Sequence, residues 1–209
     1  MNDQEQAPKR YLEIIQRANQ IAATTQLDDL LDRLLDLIIE ITQSEAGTLY
    51  LYDAATDELI FKVVKGSPAG EALLGRRLPS NTGLAGYALQ HRQPFFVNDV
   101  ANDPRWNRTF GEMGSLDLRT MFCVPLLLRG EPVGVVQVFN GAVEAVDDQE
   151  ELLLIDLLTS RLVTEIEKAR LLEESQQRER RQHALVEIVS HLTTTLERDE
   201  LLRRIMSYA

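Results

Sequence analysis

Residues 119–140 read Arg-Thr-Met-Phe-Cys-Val-Pro-Leu-Leu-Leu-Arg-Gly-Glu-Pro-Val-Gly-Val-Val-Gln-Val-Phe-Asn. Two runs of β-formers, Thr120 to Leu128 and Pro132 to Asn140, flank the turn Arg129-Gly130-Glu131, which is the pattern of a hairpin. Pro125 and Pro132 each lack an amide donor, so both belong at unpaired or bulged positions.

Upstream, Pro94 to Asn98 reads as a strand, and Asn81 or Thr82 can cap a short helix through Gln90. Gly83 and Gly86 in that helix permit tight turning and close helix-to-sheet approach where a Cβ would clash. Between strand and hairpin, Asp99 to Leu118 is polar and irregular, punctuated by Asp-Pro and Gly. A first hairpin lies further back, Gly47 to Tyr52 and Glu58 to Val64, joined by the turn-prone segment Asp53 to Asp57. Before it, Leu12, Ile15, Ala18 and Ile21, then Leu27, Leu30, Leu31, Leu34, Leu35 and Ile38, recur at helical spacing and predict two helices meeting near residue 25.

Downstream, Asp147 and Glu150 are spaced as a capping box. Leu154, Ile155, Leu158, Leu162, Ile166, Ala169 and Leu172 form an apolar stripe, and no Pro or Gly follows before the chain ends. The stripe containing Ile155 and Leu162 is a candidate seam for a parallel coiled-coil dimer. A helix from Asp147 to Gln182 would run about 54 Å, more than one small domain can cover. Glu173 to His183 is almost wholly polar. A shift of 171 residues lays Thr24, Asp28, Leu30, Leu31 and Arg33 on Thr195, Asp199, Leu201, Leu202 and Arg204, as if the opening helices began again. The expected organisation is a flexible start over 1–11, one domain over 12–170, a linker helix over 171–184, and the start of a second module of the same kind over 185–209.

Composition narrows the function. The 22 Lys+Arg against 33 Asp+Glu give a net charge of −11, a field that repels phosphate backbones and anionic membranes, so nucleic acid is not an expected partner. No apolar run reaches the roughly 20 residues of a bilayer span, and the first ten residues are polar, so a cytoplasmic location without membrane insertion is expected. The single cysteine, Cys123, cannot form an internal disulfide, and a structural zinc is not expected. We find no Gly-x-Ser-x-Gly, phosphate-binding Gly-rich loop or His-Glu-x-x-His, so no catalysis is expected of this chain.

The order helix, helix, hairpin, helix, strand, irregular loop, hairpin, long helix resembles that of GAF domains, the sensor modules of signalling proteins. Gly83-Leu-Ala-Gly-Tyr-Ala88 resembles the family's turn into its central helix, and Gln93 to Val100 its following strand and Asp. Asp103-Pro-Arg-Trp106 is similar to the loop after it, and residues 119–126 and 132–140 to the last two strands. The resemblance covers about residues 12–170. It implies an α+β fold related to PAS domains, with an antiparallel sheet of five or six strands. The terminal helices would pack on one face, and loops would roof a small-molecule pocket on the other. It also implies a homodimer through the terminal helices and an effector domain in the same chain, whether the histidine kinase of a two-component system, a nucleotide cyclase, a phosphatase or a transcription factor.

The residues placed at such a pocket are Asn98, Asp99, Arg105, Trp106, Asn107, Phe110, Arg119 and Met121. Two aromatics with guanidinium and amide donors could stack a planar ring and hold an anion. Alternatively, Trp106 and Phe110 plug the sheet's own core, and the module only dimerises as a scaffold. Relatives that bind cyclic nucleotides carry an Asn-Lys pair after the last strand. Here Asn140 matches but Gly141 stands in place of Lys, which makes a cyclic nucleotide the lesser alternative. The cofactor is left unknown. Covalent bilin attachment is not expected, because Cys123 lies mid-strand, and one cysteine cannot serve the family's reductase chemistry. Haem is not expected at His91, which sits at a polar helix end. His183 and His191 lack the adjacent carboxylate and following Pro of a phospho-acceptor.

Overall fold

The structure is a computed structural model that describes residues 13–14, 16–17, 26–67, 69–107, 117–141 and 149–207. The expected junction of two helices near residue 25, the Asp147 half of the capping box and Phe110 lie outside the described residues. Glu13, Ile14, Gln16 and Arg17 are helical, and α1 spans Leu27–Ile41. Two compact units divide the chain, Met1–Ile166 and Glu167–Ala209.

Strands β1 (Ala46–Asp53), β2 (Glu58–Lys65), β3 (Arg77–Pro79), β4 (Phe95–Val97), β5 (Met121–Leu128) and β6 (Glu131–Phe139) form one six-stranded sheet in the order β3-β2-β1-β6-β5-β4. Every pairing is antiparallel. A 3-10 turn, Gly70–Leu73, precedes β3, and helix α2 spans Gly83–His91. Helix α3 runs without a break over Gln149–Ser207. Both expected hairpins are present. Pro125 sits past the end of β4, which pairs only with Met121 to Cys123. Pro132 faces Leu127 across a register shift that leaves Val133 unpaired. Both prolines thus stand where a ladder is already interrupted.

Alternation along the strands makes two cores, one on each face of the sheet. On one face Leu49, Phe122, Val124, Leu126, Val136 and Val138 pack with Ile14, the apolar stripe of α1, and Leu154, Ile155, Leu158 and Leu162 of α3. Ile155 and Leu162 are 2% and 0% exposed, so the stripe expected as a dimer seam is instead spent on the domain's own core. The outward apolar residues are Leu152, Leu153 and Leu157, 37%, 70% and 46% exposed. In the second unit Leu171, Leu172, Leu185 and Val186 are exposed. The other face of the sheet carries Tyr50, Leu59, Phe61, Met121, Cys123, Val135 and Phe139 beneath α2.

A bulge in β2 decides which side chains face α1. Leu49 pairs with Val63 but Tyr50 with Phe61, which leaves Lys62 as the extra residue and reverses the phase of the strand. Phe61 consequently lies in the α2-side core and Val63 in the α1-side core. Lys62 meets Asp28 at 2.7 Å, and Lys65 meets Asp32 at 2.5 Å and Asp36 at 3.1 Å. Asp28, Asp32 and Asp36 recur every fourth residue along one line of α1, the spacing that presents a single face.

Two expectations about α2 are corrected. Thr82 occupies the N-cap position, but its side chain makes no capping hydrogen bond. Gly86 serves no approach to the sheet: a Cβ there would meet the Asn81 carbonyl carbon at 2.5 Å and the Ser80 oxygen at 2.6 Å. It lets α2 fold back onto the segment that precedes it. Gly83 does turn the chain, with φ +65° and its Cα side against Asn107.

Candidate functional site

A cavity of about 60 Å³ lies on the α2 face of the sheet. Its floor is built from β1 and β6, where Thr48 stands opposite Gln137. Tyr50 follows on the same face, tilted against Phe61 with ring centroids 4.6 Å apart. Leu84 and Ala85 of α2 form one wall, and Trp106 and Asn107 close over it.

Gln137 is 3% exposed, and its Nε2 donates to Met121 Sδ at 3.4 Å and to Cys123 Sγ at 3.3 Å. Burial pushes the Cys123 thiol up to about 12, against a smaller opposing pull from the Gln137 bond. Burial, chiefly, also raises the Tyr50 phenol well above its usual range, so both groups are uncharged at neutral pH.

Of the residues expected to touch a ligand, Trp106 and Asn107 line the cavity. Met121 is fully buried below it, under Gln137. Arg105 points elsewhere. Its guanidinium is held by both oxygens of Asp103 at 2.9 and 2.6 Å, and it lies 4.4 Å from the Tyr87 ring centre and 5.1 Å from that of Phe95. Hydrogen bonding by Arg105 holds the Asp103 carboxyl below its usual range.

Asn98 is exposed at the end of β4. Asp99 is exposed as well and accepts hydrogen bonds from the backbone and side-chain amides of Asn102. Arg119 is exposed, pairs with Glu45 at 2.6 Å, and gives its backbone N–H to Asn140 Oδ1 at 2.8 Å. Asn140 in turn donates to Glu45 and to the Asp117 carbonyl. These polar residues fasten loops to strand ends. Phe110 lies outside the described residues.

His91 is exposed, with its ring stacked on Tyr87 at 3.8 Å, and His183 is exposed. The cavity floor, Thr48, Tyr50, Phe61 and Gln137, was not anticipated. Its one signal in the sequence is Gln137, an amide in the middle of an otherwise apolar strand.

A sequence model of the GAF domain matches residues 24–164. The chain belongs to the GAF family. Among curated proteins it is similar to the probable 3',5'-cyclic phosphodiesterase pde-5 of Caenorhabditis elegans, 23% identical over an alignment of 122 residues that covers 54% of this chain and 17% of that protein. The chain therefore spans only a small part of that relative. Among solved structures it is similar to the GAF domain of a phosphoenolpyruvate-protein phosphotransferase from Coxiella burnetii, with TM-score 0.68 and 21% identity, covering 78% of this chain and 96% of that one. It is also similar to the GAF domain of a two-component sensor histidine kinase from Bacillus halodurans, with TM-score 0.58 and 21% identity, covering 72% of this chain and 99% of that one. At these identities the likeness to the solved structures is one of fold. Among the described residues no helix is long and apolar enough to cross a membrane.

Proposed function

We propose that the chain is a regulatory, ligand-sensing module of a cytoplasmic signalling protein. A small molecule in the cavity biases the packing of the terminal helices, and these pass the bias to an effector domain in the same chain. The module itself carries no catalytic role. Residues 171–184 act as the linker helix, and 185–209 open a second module. A second copy of the chain pairs along α3 through the outward residues Leu153 and Leu157.

One observation carries this reading: the strands that floor the cavity also support the helices. Along β1 and β6, Thr48, Tyr50, Gln137 and Phe139 line the cavity, while Leu49, Val136 and Val138 between them pack in the core shared with α1 and α3. Close-packed interiors transmit small displacements, and a coupling of about 1–3 kcal/mol is typical between allosterically linked sites. Membership of the GAF family supports the regulatory role, as does the kinase whose GAF domain shares the fold.

The cyclic nucleotide alternative is disfavoured at Gly141. A Cβ there would meet Ser44 Oγ at 2.6 Å and the Thr42 carbonyl oxygen at 2.7 Å, so the lysine of the family's Asn-Lys pair has no room without a shift of that turn. The test is hydrogen exchange with and without a ligand found by thermal shift. A sensor changes protection in α1 and in residues 154–166 of α3. A bound ligand that leaves both helices unchanged, or the failure of every ligand class to bind, leaves only the scaffold reading.

A further inference from the structure

The floor of the cavity holds three polar side chains at least nine-tenths buried, Thr48, Tyr50 and Gln137, 4%, 7% and 3% exposed. Their hydrogen-bonding capacity is unequal. A carboxamide has two N–H donors and one carbonyl acceptor, and a thioether sulfur can only accept, so the amide nitrogen must face Met121. With Nε2 directed at both Met121 Sδ and Cys123 Sγ, the ring of contacts fixes the side chain and leaves Oε1 as its free valence. Thr48 stands directly across the β1/β6 ladder from Gln137, where side chains on one face are nearest neighbours. Among the described residues, no hydrogen bond is made to Thr48 Oγ1, Tyr50 Oη or Gln137 Oε1. None of the three is sealed from the cavity that Thr48, Tyr50 and Gln137 line, so each is open to hydrogen bonding by whatever occupies it, water or ligand.

Charge at the site points the same way. Lys65 is the only charged residue among the described lining residues, and its ammonium is committed to Asp32 and Asp36 on α1. Arg105 and Arg119 are committed to Asp103 and Glu45. An anion entering the cavity would exchange its hydration for neutral hydroxyl and amide groups and the partial charge at the start of α2, with no uncommitted cation among the described lining residues, a transfer that is disfavoured. The cavity of about 60 Å³ has room for roughly five water-sized bodies.

We propose that the cavity takes a small uncharged molecule bearing both a hydrogen-bond donor and an acceptor, such as an amide or an N–H heterocycle, seated over Thr48 and Gln137. Carboxylates and phosphates of the same shape are excluded. This rests on the ligand-sensing reading of the cavity, and it names the class of ligand.

The sole tryptophan, Trp106, lines the cavity and reports occupancy by its fluorescence. The probes are isosteric pairs at neutral pH: acetamide against acetate, and propionamide against propionate. At least one neutral member is expected to quench Trp106 saturably, and its anionic counterpart to bind weaker by roughly tenfold or more. Gln137→Met keeps the length and removes the carbonyl, and Thr48→Val keeps the shape and removes the hydroxyl. Each is expected to weaken the neutral probe roughly tenfold with the melting transition retained. Anions binding as tightly as their neutral partners, unchanged binding in a variant that melts cooperatively, or no binding of either neutral probe would each overturn the proposal. A bound anion would leave the sensing role standing. A bound neutral probe that left α1 and α3 unprotected would instead remove the sensing role and keep the ligand class.

Discussion

The Arg105 guanidinium lies 4.4 Å from the centre of the Tyr87 ring, and so pins the loop that carries Trp106 and Asn107 to the outer side of α2. Asp103 holds the same guanidinium through two hydrogen bonds. The Trp106 backbone N–H returns to the Asp103 carbonyl at 3.0 Å. The residue expected to bind a ligand thus acts one position away from it, by setting where Trp106 sits.

Replacing Arg105 with Met keeps the stem over the rings and removes the fork of donors. We expect a loss of about 1–2 kcal/mol, because the Arg105 and Asp103 side chains are only 35% and 10% exposed, which lowers the melting temperature by roughly 2–8 °C. Trp106 emission shifts to the red and acrylamide quenches it more readily. An unchanged Trp106 spectrum in a folded Arg105→Met protein would show that the loop is held by other contacts.

The Asp103 pair has a definite pH dependence. Because Arg105 depresses the folded carboxyl, the unfolded chain takes up a proton first as the pH falls. The pair's stabilisation is therefore complete above the ordinary carboxylate value of about 3.9 and is lost as the pH drops through the lower folded value. Trp106 emission should stay constant through neutral and mildly acidic pH and change only in strong acid. Asp103→Asn should show the altered emission already at neutral pH. Identical acid profiles in the two proteins would mean that the step belongs to global unfolding and not to this pair.

How far the sequence could reach is clear from particular elements. Both hairpins and the apolar line of α1 follow from periodicity, because each buries one face against a single layer. Strand β3 escaped notice since its three residues, Arg77-Leu78-Pro79, offer one apolar side chain and no alternation. At the site, polar residues in an irregular loop read in the sequence as a binding surface. Asp99, Arg105 and Arg119 are polar because they tie that loop to itself and to strand ends. The actual floor is written in strand residues that resemble ordinary core, and only pairing in space shows that Thr48 and Gln137 meet. The phase reversal at Lys62 was equally invisible, since one unpaired residue leaves no mark on composition.

The two faces of α3 should separate cleanly in stability measurements. Ile155 is buried in the core shared with α1 and the sheet, whereas Leu153 is 70% exposed. Ile155→Ala should cost about 2–5 kcal/mol through lost burial and a residual cavity. Leu153→Ala should change the stability of the monomer by no more than about 0.5 kcal/mol. Urea midpoints with unchanged m values measure both. Under conditions where the chain pairs along α3, the cost of Leu153→Ala should grow with protein concentration, and a cost that stays flat would remove that pairing.

Cys123 should behave as a reporter of unfolding and not as a reactive thiol. It is fully buried, and burial holds its thiol at about 12, so neither access nor thiolate is provided in the folded state. A thiol-specific disulfide reagent should fail to label the native protein at neutral pH and should label it at the rate of unfolding in urea. The same raised value makes stability fall in alkali. Between the ordinary thiol value of about 8.5 and the folded value, the unfolded chain releases a proton that the native state keeps, so folding is favoured below this window and progressively less within it. Tyr50, raised by the same burial, continues the decline at higher pH. Cys123→Ala should remove the first part of the slope while leaving the second. Rapid labelling of the folded protein, or an alkaline slope indifferent to that substitution, would place the thiol in contact with water and open the cavity floor beneath Gln137.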